Sequence, residues 1–157
     1  MPLNRFFFNE RYAQALVAFR RAGRDREVNI CNAYLLKEKA KLVSTTASAA
    51  RVQAFAAAAK AFYACAKDSP PKHIKERRTC YEAAGDCYSS ARDMKTAGNS
   101  YLLAELYAEA ACAYQEGKFF EEMVNVITQH RNTFDDGIYE QFMNAARVHY
   151  FKVRFSG

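Results

Sequence analysis

Residues 87–127 read CYSSARDMKTAGNSYLLAELYAEAACAYQEGKFFEEMVNVI and repeat with a period of 13. Tyr88, Tyr101, Tyr114 and Ile127 occupy one column of the repeat, and Ala91, Ala104 and Gly117 the column three places on. Met94, Tyr107 and Phe120 form a third column, and Ala97, Ala110 and Met123 a fourth. Self-similarity at a short period marks units that cannot bury an apolar face alone and stack on their neighbours. A spacing of three lies nearer the helical period of 3.6 than the strand period of 2, and the filler is rich in Ala, Leu, Glu, Met, Lys and Gln, all good helix formers. Each unit has room for about ten residues of helix, a rod of about 16 Å, followed by a short turn. Such a helix is marginal alone in water. In Glu116-Gly117-Lys118 the Gly stands where a helix end favours φ > 0. The expected fold is all-α, a right-handed superhelix (α-solenoid) of roughly seven to nine short antiparallel helices paired as hairpins.

The aromatic–small–turn signature recurs upstream as Phe19-x-x-Ala22-Gly23 and Tyr81-x-x-Ala84-Gly85. Helices are predicted over 10–22, 25–43, 47–67, 71–91, 94–104, 107–115, 119–131 and 137–152. Residues 1–8 read as an extended lead-in, with Phe6 to Phe8 stapling the first helix or filling the place of a preceding repeat. Asn9 is the expected cap of the first helix, Thr46 or Ser48 of the third, Ser69 of the fourth and Asp135 or Asp136 of the last. Gly85-Asp86 is a potential break within the fourth helix. The Ala-rich third helix, with Phe55, Phe62 and Tyr63, is expected to pack on more than one side. Val153 to Gly157 lacks the polar capping helix of a free-standing solenoid. The expected organisation is one domain over 1–157, a segment of a longer protein.

The composition narrows the function classes. Half of the 157 residues are apolar, but 28 are Ala, so hydrophobicity is spread thinly over helix contacts. No run approaches the roughly 20 apolar residues of a membrane span, and the N-terminus lacks a secretory signal, so an intracellular location, cytoplasmic or nuclear, is expected. Five widely spaced Cys read as free thiols used as small core residues. Cys80 and Cys87 share a helix face without a third ligand, and His73, His130 and His149 have no Cys at metal-ligand spacing. Gly85 and Gly98 do not form a phosphate loop, and no Ser-His-Asp spacing occurs. The pairs Glu121-Glu122 and Asp135-Asp136 stand near helix N-termini, where carboxylates favour the macrodipole. No catalytic residue, cofactor or metal site is expected.

The formal net charge is +6. Arg20, Arg21, Arg24 and Arg26 surround the first turn; Lys37, Lys39 and Lys41 lie on the second helix. Lys67, Lys72, Lys75, Arg77 and Arg78, with His73, flank the double proline. Charge runs usually describe solvated helix faces. If the clusters converge in space they form a contact for phosphates or for an acidic peptide. Arg20, Arg21, Arg24, Arg26, Lys72, Lys75, Arg77 and Arg78 are the candidate partner-binding residues. The aromatics are not interleaved with these bases as in single-strand binders, which favours a protein partner over nucleic acid.

The pattern Tyr-x-x-Ala-x-x-Tyr/Met/Phe-x-x-Ala, with Gly after the small residue, resembles tetratricopeptide-like (TPR-like) solenoids, especially the short-helix kind of trafficking scaffolds and the SNAP adaptors. The 13-residue half-unit departs from the 34-residue tetratricopeptide repeat, so the usual peptide groove is not implied. ACAYQEGKFFEEMVNVI (Ala111 to Ile127), Gln129-His130-Arg131 and NAARVHY (Asn144 to Tyr150) are similar to a helical region of large fungal proteins. Those carry a UvrD-like superfamily 1 helicase module and are similar to the TPR-and-ankyrin helicase-like family. The resemblance covers residues 75–152 and implies an accessory helical arm of a larger protein. No Walker A motif is present, so it implies no ATPase activity here. The expected function is a non-catalytic protein–protein interaction scaffold or accessory arm, with a protein or peptide partner of acidic character and no membrane partner. The alternative is a nucleic-acid-contacting accessory domain of an attached helicase.

Overall fold

A proline at the first helical position loses no hydrogen bond, and no Gly or Pro follows Pro2 until Gly23. In a computed structural model, which describes residues 2–156 and the side chains of 10–156, α1 accordingly runs Pro2–Arg21. The lead-in expected over 1–8 is helical from Pro2, and Asn9 lies inside the helix instead of capping it. The roles expected for Phe6 to Phe8 fall outside the described side chains. Then follow α2 (Asp25–Leu42), α3 (Ser48–Asp68), α4 (Ile74–Ser90), α5 (Met94–Leu103), α6 (Tyr107–Glu116) and α7 (Phe120–Gln129). A 3-10 turn (Arg131–Thr133) leads to α8 (Asp136–Phe155). The chain is all-α, with no strand among the described residues. Each helix packs mainly on its neighbours in the chain, and α3 packs heavily on both α2 and α4. That two-sided contact buries Ala58, Ala59 and Ala66 beside Phe55 and Phe62, which is why so many positions of α3 are small.

The caps differ in detail from the expectations. Asp135 caps α8 by accepting from Ile138 N–H at 2.8 Å. Neither Thr46 nor Ser48 caps α3, whose N-cap is Ala47. Ser69 serves the helix behind it: its hydroxyl donates to the Cys65 carbonyl at 2.9 Å. Pro70 and His73 close a turn of their own (2.9 Å), so α4 begins at Ile74 and not at Pro71. Gly85-Asp86 does not break α4.

The 13-residue repeat is a hydrogen-bonding unit. Arg92, Glu105 and Lys118, 13 apart, have φ of 63°, 60° and 64°. Tyr88, Tyr101 and Tyr114 carbonyls accept from Asp93, Leu106 and Phe119 N–H at 2.9, 2.9 and 2.7 Å. Ser89, Leu102 and Gln115 accept from the left-handed residues themselves at 2.9, 2.9 and 3.0 Å. These are Schellman closures. Asp93, Leu106 and Phe119 are also the N-cap residues of the next helix, so two residues separate one helix's C-cap from the next helix's first turn. Gly23, with φ 67°, closes α1 in the same way. Gly117 is not the left-handed residue expected from the sequence: its φ is −79°, and Lys118 takes that role. A Cβ at Gly117 would lie 2.8 Å from Met94 Cβ and 2.6 Å from the Phe119 ring, so close approach accounts for it.

Adjacent helices meet through a second repeating device. Tyr101 lies across Gly85, where an added Cβ would come within 2.7 Å of its ring, and Tyr114 lies across Gly98 in the same way at 2.5 Å. The residues after those glycines receive the phenols: Tyr101 Oη donates to Asp86 Oδ1 (2.7 Å) and Tyr114 Oη to Asn99 Oδ1 (2.5 Å). One register further on, the columns hold Ile127, Ala111 and Cys112. All three positions change together: without a ring or hydroxyl to accommodate, neither Gly nor Asx is needed. This corrects the expectation for the thiols. Cys31, Cys65, Cys80 and Cys87 are buried, but Cys112 sits in the outward Asp86/Asn99 column and is exposed.

Burial pushes the Cys80 thiol up to about 12 and the Cys87 thiol up to about 11. The buried thiols are therefore protonated at neutral pH. At mildly alkaline pH, an aromatic disulfide reagent is expected to titrate one thiol, Cys112, in the folded protein and five in denaturant. Rapid reaction of a second thiol in the native state would contradict this packing. Burial followed by Glu109 and Glu116 also raises Cys112, so it should react more slowly than a free thiol.

Urea unfolding tests the two repeating devices. Gly98→Ala forces the Tyr114 ring aside and should cost about 1–3 kcal/mol by overpacking. Ala111→Gly, in the register without a ring, should cost only about 1 kcal/mol of helix propensity. Lys118→Gly removes a left-handed residue with a Cβ and should stabilise by about 0.5–1 kcal/mol. Destabilisation by the last substitution would show that the Lys118 side chain outweighs its backbone cost.

Candidate partner-binding surface

Short connections make consecutive helices antiparallel. The C-terminal ends of α1, α3, α5 and α7 therefore share one rim with the N-terminal ends of α2, α4, α6 and α8. Three contacts between elements bear this out. Arg26 of α2 reaches Glu76 of α4 (Nε to Oε2, 3.5 Å), Arg78 of α4 pairs with Glu105 in the turn after α5, and the Tyr107 ring of α6 stacks on His130 at 3.6 Å between centroids. The two basic segments both belong to this rim. Residues 20–27 and 67–78 carry nine Lys and Arg against four Asp and Glu, a surplus of five where the whole chain has six. Lys37, Lys39 and Lys41 lie along α2 toward the opposite rim, and Lys41 pairs with Glu38 at 2.9 Å.

The eight candidate residues divide into two groups. Arg24 is held by Glu27 at 2.6 Å and lies over the Phe19 ring at 5.5 Å. Arg26 stands between Glu27 (3.7 Å) and Glu76 (3.5 Å), and its buried Nε makes no hydrogen bond. Arg78 is engaged by Glu105. Backbone hydrogen bonding first, and then Arg24, holds the Glu27 carboxyl below its usual value. These three arginines act in the architecture. Arg20, Arg21, Lys72, Lys75 and Arg77 have no carboxylate at ion-pair distance among the described residues. All but Arg77 are exposed, and Arg77 is half-buried.

Glu76 is a residue that sequence reasoning missed. Its carboxylate faces Arg26 (3.5 Å), His73 Nδ1 (3.8 Å) and Ser69 Oγ (3.3 Å), tying the start of α4 to the start of α2 and the end of α3. The sequence offers only a Glu in the first turn of a helix, a position explained by the macrodipole alone. Also missed were Ile74 and Leu103, 55% and 47% exposed. They come from different helices and line one depression of about 310 Å³ with Pro71, Arg77, Arg78, Tyr81 and Glu105. Ile74 also borders a shallower depression of about 690 Å³ lined by Lys72, His73, Lys75 and Glu76. No helix among the described residues is long and apolar enough to cross a membrane.

This arrangement supplies fixed positive charge and exposed apolar surface at the ends of packed helices, which suits binding. Compared with protein families, curated proteins and solved structures, the chain matches none of them.

Proposed function

We propose that the chain is a non-catalytic protein–protein interaction scaffold, a TPR-like α-solenoid of right-handed superhelical course, whose partner-facing surface is the basic rim. The observation that carries this reading is the convergence of residues 20–27 and 67–78 through the Arg26–Glu76 contact. Helices that pack mainly on their chain neighbours form a quasi-one-dimensional array, and such arrays commonly present extended binding surfaces. The resemblance to helicase-associated helical regions makes an accessory arm of a larger protein the setting in which such a surface would work.

The second reading, contact with nucleic acid, draws on the same cations. It is less favoured because Tyr81, Tyr88, Tyr101 and Tyr114 are buried in the packing columns, where they offer no stacking platform for bases. Fluorescence anisotropy at low and high salt separates the two. Labelled single-stranded and duplex oligonucleotides are expected to bind no more tightly than a poly-L-glutamate probe of similar charge. Sub-micromolar oligonucleotide binding that weakens steeply with salt, the signature of counterion release from phosphates, would overturn the scaffold reading in favour of the second.

A further inference from the structure

We infer that the depression between the start of α4 and the end of α5 receives one large apolar side chain from an acidic peptide segment of a partner protein. The inference rests on the protein-binding reading above and assigns that surface its specificity.

Single exposed apolar residues are ordinary on a protein surface. Ile74 and Leu103 are a different case. They stand 29 places apart in the sequence, and the antiparallel course of α4 and α5 brings them to one concavity whose base includes the buried Tyr81. At about 310 Å³ the site lies at the small end of the roughly 300–1,000 Å³ range of ligand pockets. That suits an anchor residue and not a folded surface. Tyr81 is held from behind by Tyr63, edge-on at 5.4 Å, so the base is set by the core.

The charges around it indicate what the anchor's neighbours must be. Arg77 lines the depression without a carboxylate partner, and Lys72 and Lys75 stand across the Ile74 ridge in the adjoining concavity. Glu105 also lines the depression and is paired with Arg78, and Glu76 of the adjoining concavity faces Arg26 and His73. Ile74 and Leu103 beside the unpaired Arg77, with Lys72 and Lys75 in the adjoining concavity, are complementary to an apolar residue flanked by Asp or Glu. Burial of the anchor supplies affinity, while the charges steer encounter and choose the partner.

Selection from a random-peptide display library tests this, with the wild-type chain and the variants I74S/L103S and K75E/R77E as baits. The substituted apolar side chains are about half exposed, so the fold should survive; unchanged circular dichroism and urea midpoints check this. Wild-type selection is expected to enrich peptides with one Leu, Ile, Phe or Tyr between acidic residues. Their affinity should fall about tenfold on I74S/L103S, the loss expected for an unburied anchor. Replacing the anchor by Ala should cost a similar factor on wild type and little more on that variant. K75E/R77E should abolish the salt-sensitive part of binding. Enriched peptides that bind I74S/L103S as tightly as wild type, or that lack an acidic bias, overturn the assigned site but leave a scaffold that binds elsewhere. Failure to enrich any peptide overturns the site, and together with tight, salt-sensitive oligonucleotide binding it overturns the scaffold reading as well.

Discussion

The contact on which the rest of this structure depends is a tyrosine ring laid across a glycine on the preceding helix. At Tyr101–Gly85 and Tyr114–Gly98 the ring occupies the space a methyl group would need. The helices thus approach closely while each still buries a large side chain. The phenol then reaches past the small residue to Asp86 or Asn99, so burying the ring leaves no polar group unsatisfied. The same tyrosine's backbone carbonyl ends its own helix by accepting from the residue that caps the next one. Packing partner, hydrogen bond and chain reversal are thereby assigned by one tyrosine per 13-residue unit, each reaching back to the unit before it. The Ile127 register supports this coupling: losing the ring coincides with losing both Gly and Asx.

A turn this short fixes where the connections fall. With two residues between a C-cap and the next helix, there is little loop to wander, and successive turns alternate between opposite rims. Helix ends and the side chains beside them are thereby held in fixed positions along each rim. The rim that carries the basic segments spends part of its charge on itself. Arg26 and Arg78 meet Glu76 and Glu105 from neighbouring helices, while Lys72, Lys75 and Arg77 remain unengaged. Ion pairs as exposed as Arg78–Glu105 contribute little stability, on the order of 0–1 kcal/mol each. Their larger consequence is to fix which cations remain available and where the acidic groups do not compete.

Much of this was legible in the sequence because periodic patterns report local geometry. The columns from Tyr88 to Ile127 place α5, α6 and α7 within two residues of their observed ends, and the crowding of Ala in α3 signals its two-sided packing. What the columns do not encode is which residue turns left-handed. The expected Gly117 gives way to Lys118 because two backbone hydrogen bonds are enough to hold a residue with a Cβ there, at roughly 1–2 kcal/mol. The start of α1 was missed for a related reason: a run of aromatics after Pro2 reads as exposed lead-in, although nothing in it opposes a helix. Glu76, Ile74 and Leu103 lie beyond this kind of reading altogether. Each resembles an ordinary helix-end residue until the tertiary fold shows what faces it.

The candidate surface and the core are not separate designs. Ile74 is the first residue of α4 and Leu103 the last of α5; the Pro70–His73 turn sets the first of these helix ends and the closure on the Tyr101 carbonyl the second. Tyr81 belongs to the same helix, and its buried ring joins Tyr63 on one side and the depression on the other. A site on helix termini braced by a packed core loses less conformational freedom on binding than one carried by a long loop. Preorganisation of this kind lets a small depression matter, because the modest burial available to one anchor residue is not consumed in ordering the surface that receives it. The repeat that determines the fold thus also sets the rigidity on which a rim of this size would depend.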